Sequence, residues 1–381
     1  HINRDSYYGP GDRDPLDAYG NTTDLNWMAG SQYVYSFGKC IFMPSDLTAG
    51  IEFNQDKLED NMWGYNRTVD QKVNIGSAFL QNEWKNDHWG FLIGGRLDKH
   101  NLIDHVIFSP RANLRYNPTE NINLRFSYSS GFRAPQAFDE DLHVENVGGN
   151  VAMVELADNL KEERSQSLSA SADIYHRFGA SQVNFLVEGF YTKLSDVFAL
   201  TDGEVVDGIL TRTRHNASVL GLTLEGKMAY LNKIQVQAGV TLQQSHYSKP
   251  HIWNKEAPAV KKMMRTPNTY GYFTATYTPI KPLSIALSGT YTGSMLVPHE
   301  PVPGFLETPI TANTKDFFDI GLKAAYDFKL YKSMNLQLNA GIQNIFNAYQ
   351  DDFDKGADRD SGYIYGPSLP RSFFAGVKIS Y

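Results

Sequence analysis

The chain has 381 residues, a formal net charge of −7 and a single cysteine, Cys40. The acidic balance argues against nucleic acid as a partner, and one thiol excludes an internal disulfide framework. No stretch approaches the ~18 consecutive apolar residues of a membrane helix; that leaves open a β-barrel, whose lipid face uses only alternate residues.

In chain order, period-two alternation predicts about fifteen strands and almost no helix. Their cores are 23–37, 45–55, 71–84, 88–98, 104–116, 121–130, 164–178 and 181–193, then 216–230, 233–245, 268–277, 282–293, 316–328, 334–344 and 371–381. The connections alternate in length. Short turns such as Asn86-Asp87, Gly179-Ala180 and Leu231-Asn232 follow one strand of each pair, and long Gly/Asp/Pro-rich loops at 56–70, 131–163, 194–215, 246–267, 294–315 and 345–370 follow the other. Short turns at one end and long loops at the other are the asymmetry of an outer-membrane barrel.

An aromatic residue ends each strand that runs into a short turn: Phe37, Trp84, Tyr116, Phe178, Tyr230, Tyr277, Phe328 and finally Tyr381. Stepping back by twos from Tyr230 reads Met228, Gly226, Leu224, Leu222, Leu220, and from Phe328 it reads Tyr326, Ala324, Leu322, Ile320, Phe318. Such a stripe suits hydrocarbon, with the ring at the headgroup level. The strand ending at Trp84 fits poorly, because Phe79 falls on the other parity. The opposite face is polar: Ser109, Arg111, Asn113, Arg115, then Asn123, Arg125, Ser127, Ser129, with Glu225 and Lys227 further on. Buried charges must be paired or hydrated, so this face lines water or a polar plug. A soluble sheet would need another layer over every apolar stripe, and no helices remain to supply one. The expected fold is all-β, a transmembrane antiparallel up-and-down β-barrel.

The loops carry further signals. Gly131-Phe132-Arg133-Ala134-Pro135, continuing to His143, resembles the "GFRAP" signature of TonB-dependent outer-membrane receptors. Glu188-Gly189-Phe190-Tyr191, Arg265-Thr266-Pro267, Gln343-Asn344-Ile345-Phe346-Asn347 and Tyr365-Gly366-Pro367 resemble further segments of that family, and the resemblance is closest to its Bacteroidetes group. It implies a plugged barrel of twenty-two strands. Residues 1–381 would then be the C-terminal portion, with the plug and roughly seven strands outside this chain, His1 in an extracellular loop and the C-terminus periplasmic. The implied function is active import of a scarce large nutrient: a metal chelate such as cobalamin, haem or an iron–siderophore complex. Implied partners are outer-membrane lipid and lipopolysaccharide, TonB acting through the plug, the remaining N-terminal part of the same receptor and a surface lipoprotein. A passive porin or adhesin barrel is the alternative; no residue spacing suggests an enzyme, and no cofactor is required.

Candidate ligand-binding residues in the loops are Phe132, Arg133, His143, Phe198, Tyr247, His251, Trp253 and Phe305, whose rings and imidazoles could pack a chelate or ligate its metal. The rest of the usual haem box around Phe132–Pro135, an Asn-Pro-x-Leu run, is absent. Arg111, Arg115, Arg125 and Glu225 are placed to grip the plug through charge-assisted hydrogen bonds. The acidic run at 351–360 offers Asp352, Asp354 and Asp358 to a calcium ion, although Lys355 and Arg359 can satisfy those charges internally.

Overall fold

The computed structural model describes residues 1–7, 19–63, 67–134, 153–155, 161–200, 209–331, 333–356, 359–360, 362–367 and 369–381. Its strands are β1 (Ile2–Tyr7), β2 (Tyr19–Cys40), β3 (Met43–Met62), β4 (Arg67–Lys85), β5 (Trp89–His100), β6 (Ile107–Thr119), β7 (Ile122–Arg133), β8 (Met153–Glu155), β9 (Glu163–Phe178) and β10 (Ser181–Leu200). They continue as β11 (Ile209–Tyr230), β12 (Ile234–His251), β13 (Val260–Lys262), β14 (Thr269–Ile280), β15 (Leu283–Thr292), β16 (Leu296–His299), β17 (Ile310–Asn313), β18 (Phe317–Tyr331), β19 (Met334–Gln343) and β20 (Ser372–Ser380).

Each predicted strand is present. The five others (β1, β8, β13, β16 and β17) have three to six residues, too few for alternation to register. Among the described residues, eighteen strands form one sheet, and β16 and β17 form a separate hairpin. Each long strand pairs antiparallel with the next long strand in the chain, an up-and-down order. The short β8 instead runs parallel to the start of β11. No helix long and apolar enough to cross a membrane occurs among the described residues.

Directly opposed residues share a face of the sheet, and the register gives this sheet two contrasting faces. Val183, Met228, Val236, Ala275, Leu287, Leu322, Ile342 and Phe373 oppose one another in a single row across eight strands. The neighbouring row on the other face reads Asn184, Lys227, Gln237, Thr274, Ser288, Gly321. The large apolar side chains of the first face are exposed, among them Ile93, Phe108, Leu220, Phe373, Val377 and Ile379.

The parity conflict at Trp84 resolves in this frame. Trp84 opposes Phe91, which opposes Leu114, so it belongs to the apolar face. Phe79 turns to the polar face, where its ring covers Gly50: a Cβ on Gly50 would lie 2.3 Å from Phe79 Cζ. The same interlock places Phe190 over Gly221 and Phe374 over Gly341, at 2.3 and 2.5 Å. A ring lying over a glycine restores the contact surface that the missing side chain gives up.

The short-turn end has its own construction. The ladder slips just after the last aromatic of four hairpins: between Phe37 and Cys40, Tyr116 and Thr119, Tyr277 and Ile280, and Lys329 and Tyr331 next to Phe328. These slips are bulges, which bend the strand and end its pairing. Pro118 and Pro279 sit inside two of them, where a missing N–H breaks no ladder bond. Trp84 Nε1 donates to the Cys40 carbonyl at 3.0 Å, and the Trp84 ring stacks on Phe42, so this rim is cross-braced by its own aromatics.

Candidate ligand-binding end and polar wall

On the polar face, Arg115 and Arg125 oppose each other directly on β6 and β7. Like charges placed this way repel. Arg125 donates to Asn123 Oδ1 at 2.7 Å and Arg115 to the Asn86 carbonyl at 2.9 Å, both neutral acceptors. Arg115 Nε is buried with no hydrogen-bond partner, and Arg111 lies exposed on the same face beyond the Asn113–Ser127 pair, opposite Ser129. The three arginines thus form a cationic strip that makes no ion pair among the described residues. Glu225 differs: it pairs with Lys227 at 2.7 Å and accepts hydrogen bonds from Tyr272 and Gln237 within the wall itself. A second satisfied network, in which Arg96 bridges Glu52, Asp98 and Ser77, was not singled out in the sequence. Its members alternate with apolar residues on three strands and become neighbours only through register.

At the long-loop end, β11 and β12 bring together His215, Tyr247 and His251. The ring centroids are 4.9 Å apart for His215–His251, 5.8 Å for His215–Tyr247 and 5.1 Å for Tyr247–His251. Ala217 opposes Tyr247 and is itself buried. Trp253 follows, with its indole N–H buried and unpartnered. Two candidate residues, Tyr247 and His251, are therefore in contact; His215 joins them because β11 pairs with β12 in the register Ala217↔Tyr247, two residues from it.

The other candidates fall elsewhere. Phe132 packs against the small core of Ile103, Ile107 and Ala134. Arg133 grips Glu163 on β9 with two hydrogen bonds of 2.9 and 3.1 Å, so both brace the base of their loop. Nearby, burial pushes the Glu162 carboxyl up, but hydrogen bonds from Arg164, its own backbone and His105 outweigh it and hold the group below the usual range. Phe305 is exposed in a turn closed by the Val302–Leu306 bridge. His143 and Asp358 lie outside the described residues, as does the side chain of Phe198.

The described residues of the closing loop, 345–370, are tied down by many hydrogen bonds. Asn344 and Asn347 both adopt left-handed backbone, φ 48° and 54°, a conformation asparagine tolerates. Asn344 donates to the Ala348 and Leu369 carbonyls and accepts from Ala348 N–H, while Asn347 Oδ1 accepts from Arg371 N–H. Gln350, 1% exposed, donates to the Tyr363 carbonyl at 3.0 Å and accepts from the Tyr365 N–H at 2.9 Å. Arg265 donates to the Ile364 and Gly362 carbonyls, and its own N–H bonds the Leu296 carbonyl, so it joins three loops. Desolvation by the surrounding loops lowers the guanidinium pKa, against the opposing charge of Asp360.

The acidic run divides between two partners. Asp352 accepts from the hydroxyls of Tyr363 and Tyr365, whereas Asp354 accepts from His299 Nε2 at 2.8 Å and from the Asp360 N–H. Burial, then the Asp352 charge, push the Tyr363 hydroxyl up to about 12, and Tyr365 moves in the same direction for the same reasons. Raised folded-state values stabilise the loop fully below the ordinary tyrosine value of 10.0, and that stabilisation is lost as pH rises towards 12. Tyrosinate absorbance of the wild type minus that of a Y363F/Y365F double variant is therefore expected to titrate late, and Asp352→Asn to bring it earlier. A difference curve centred at the ordinary tyrosine value would refute the arrangement.

A family model described as "TonB dependent receptor-like, beta-barrel" matches residues 1–345. No curated protein sequence matches the chain significantly. Among solved structures, the ferric-catecholate import receptor Fiu of E. coli K12 aligns with a TM-score of 0.67 at 15% identity, over 94% of this chain and 55% of that one. The FrpB iron transporter of Neisseria meningitidis aligns with a TM-score of 0.68 at 14% identity, over 98% and 58%. A ferric enterobactin receptor (PfeA) mutant of Pseudomonas aeruginosa gives 0.66 at 18%, over 96% and 55%. At these identities the likeness shows the fold, and the chain spans a little over half the length of each. The two-faced up-and-down sheet, the family match over nine-tenths of the residues and the shared fold together make this chain a member of the TonB-dependent receptor β-barrel family.

Proposed function

We propose that this chain is the C-terminal part of the barrel of an outer-membrane receptor, and that the receptor imports a metal chelate, an iron–siderophore complex foremost, with energy delivered through TonB. The observation that carries the reading is the contrast between the two faces of one sheet. The apolar face is continuous and exposed, which suits lipid; the polar face holds an arginine strip still in want of carboxylates, which suits a plug. Spanning the hydrocarbon takes about 9–11 tilted residues, and β2, β3, β10 and β11 have 20 to 22. Their surplus length would stand above the membrane and carry the loops outward, with Tyr381 in the periplasmic aromatic belt. The His215–Tyr247–His251 group, beside Trp253 in sequence, is the best-formed place for a chelate to rest, and the structural neighbours, receptors for ferric catecholate and ferric enterobactin and an iron transporter, favour iron chelates over cobalamin or haem.

In a strain lacking the gene, uptake of a labelled ferric siderophore under iron limitation is expected to fall to background and to depend on TonB when restored. Undiminished uptake, or an open channel in planar bilayers, would favour a passive porin instead. Reversing charge at Arg115 and Arg125 together is expected to loosen the plug and raise passive conductance at least several-fold. Unchanged conductance would remove these arginines from the plug interface. A Soret or corrin absorbance in the purified receptor would redirect the cargo to haem or cobalamin.

A further inference from the structure

We propose that His299, Asp354 and Asp360 form a site for one borderline divalent transition ion, of the Zn²⁺ type, and that this ion clips the β16–β17 hairpin to the closing loop. The donor atoms these side chains offer lie within 4.8 Å of one another. His299 and Asp360 are buried, 5% and 7% exposed, and Asp354 is half-buried with its side chain only 2% exposed. Two buried carboxylates require countercharge. Among the described residues no lysine or arginine lies within ion-pair distance of either; the Arg265 guanidinium acts on Asp360 only from further off, and the hydrogen bonds each carboxylate accepts come from neutral backbone N–H groups or from His299.

The surroundings hold the ligands in place ahead of any ion. Glu300 N–H and Gly362 N–H bond the two oxygens of Asp360 at 2.9 and 2.7 Å. The His299 ring lies flat on Tyr363, centroids 3.7 Å apart and planes 7° apart, and the Tyr363 hydroxyl is itself fixed by Asp352. Ligand orientation by such outer partners is a regular part of metal sites. One imidazole and two carboxylates suit a borderline ion better than Ca²⁺, which takes six to eight oxygens. Three protein ligands leave one position of a tetrahedral ion for water. The site joins residues 55 and 61 positions apart in sequence and is distinct from the His215–Tyr247–His251 group, so the ion would be a structural clip rather than the cargo.

The test uses the complete receptor in detergent, stripped with a chelator and titrated with Zn²⁺ alone, with Co²⁺ as a coloured substitute. Expected are one more bound ion per receptor than in H299Q or D354N, tetrahedral Co²⁺ bands, and a melting temperature that rises on adding Zn²⁺ in the wild type only. Asp351→Asn, which in the same loop breaks the ion pair with Lys315 and touches neither the three ligands nor Tyr363, is expected to keep the ion; melting in chelator shows whether each variant is folded. A wild type that binds no ion, folded H299Q and D354N variants that bind as many as the wild type, or loss of the ion in D351N as well would each overturn the site.

Discussion

Gly221→Val is expected to destabilise the barrel by about 1–3 kcal/mol, the usual cost of forcing extra carbon into a filled space. The added Cβ would meet Phe190 Cζ at 2.3 Å and the Leu242 carbonyl at 3.0 Å. A flexible side chain could swing aside, but Phe190 is held between β9 and β11, with Ser169 and Gly221 directly opposite. Combining the change with Phe190→Ala removes the ring that the new side chain strikes. The double variant is therefore expected to lose less than the two single changes added together, and urea unfolding of the receptor in lipid vesicles would measure that coupling. Strict additivity would mean that the ring and the glycine do not interlock. Gly76 and Gly189, which have nothing within 4 Å of an added Cβ, provide the comparison: alanine there should leave the unfolding midpoint nearly unmoved.

Gln350→Leu is expected to release the closing loop. The amide is the partner of the Tyr363 carbonyl and the Tyr365 N–H, with Gly366 N–H at 3.4 Å as a third. Leucine fills the space and satisfies none of them, and each orphaned buried group costs about 1–3 kcal/mol. Amide exchange at Tyr365 and Gly366 should accelerate by tenfold or more, while the strands below keep their protection. Unaltered exchange at those two amides would show that the loop is held by its aromatics alone. Phe305→Ala, in an exposed turn of the neighbouring loop, should change neither.

The strands were legible because their signal is local. Alternation needs only the side chains of one segment, and a terminal aromatic such as Tyr116 or Tyr277 marks its own boundary. The two faces followed for the same reason, and even the failure at Phe79 had a local cause that one sequence cannot display: the ring belongs with Gly50 on the adjacent strand. The ligand end was less legible. Tyr247 and His251 lie four residues apart on one strand, but His215 reaches them only through the register of β11 with β12. His299 and Asp360 were not paired because 61 positions separate them and the hairpin that presents His299 has strands of only four residues. Within the acidic run, composition suggested one cluster, and the folded loop parts it, with Asp352 going to tyrosines and Asp354 to histidine. The closing signature from Gln343 to Asn347 reads in hindsight as backbone chemistry, two asparagines accepting left-handed turns that most residues resist.

The slips beside Phe37, Tyr116, Tyr277 and Phe328 act as a common datum. The long strands of this sheet run from 9 residues in β20 to 22 in β2 and β11, yet the pairing is halted at the same aromatic level in hairpin after hairpin. All variation in length is thereby exported to the opposite end. A peptide tag or a reshaped recognition loop can be added there without disturbing the level of the lower rim. The same insertion beside one of the bulged turns would offset two strands against their neighbours and turn their apolar residues to the wrong side.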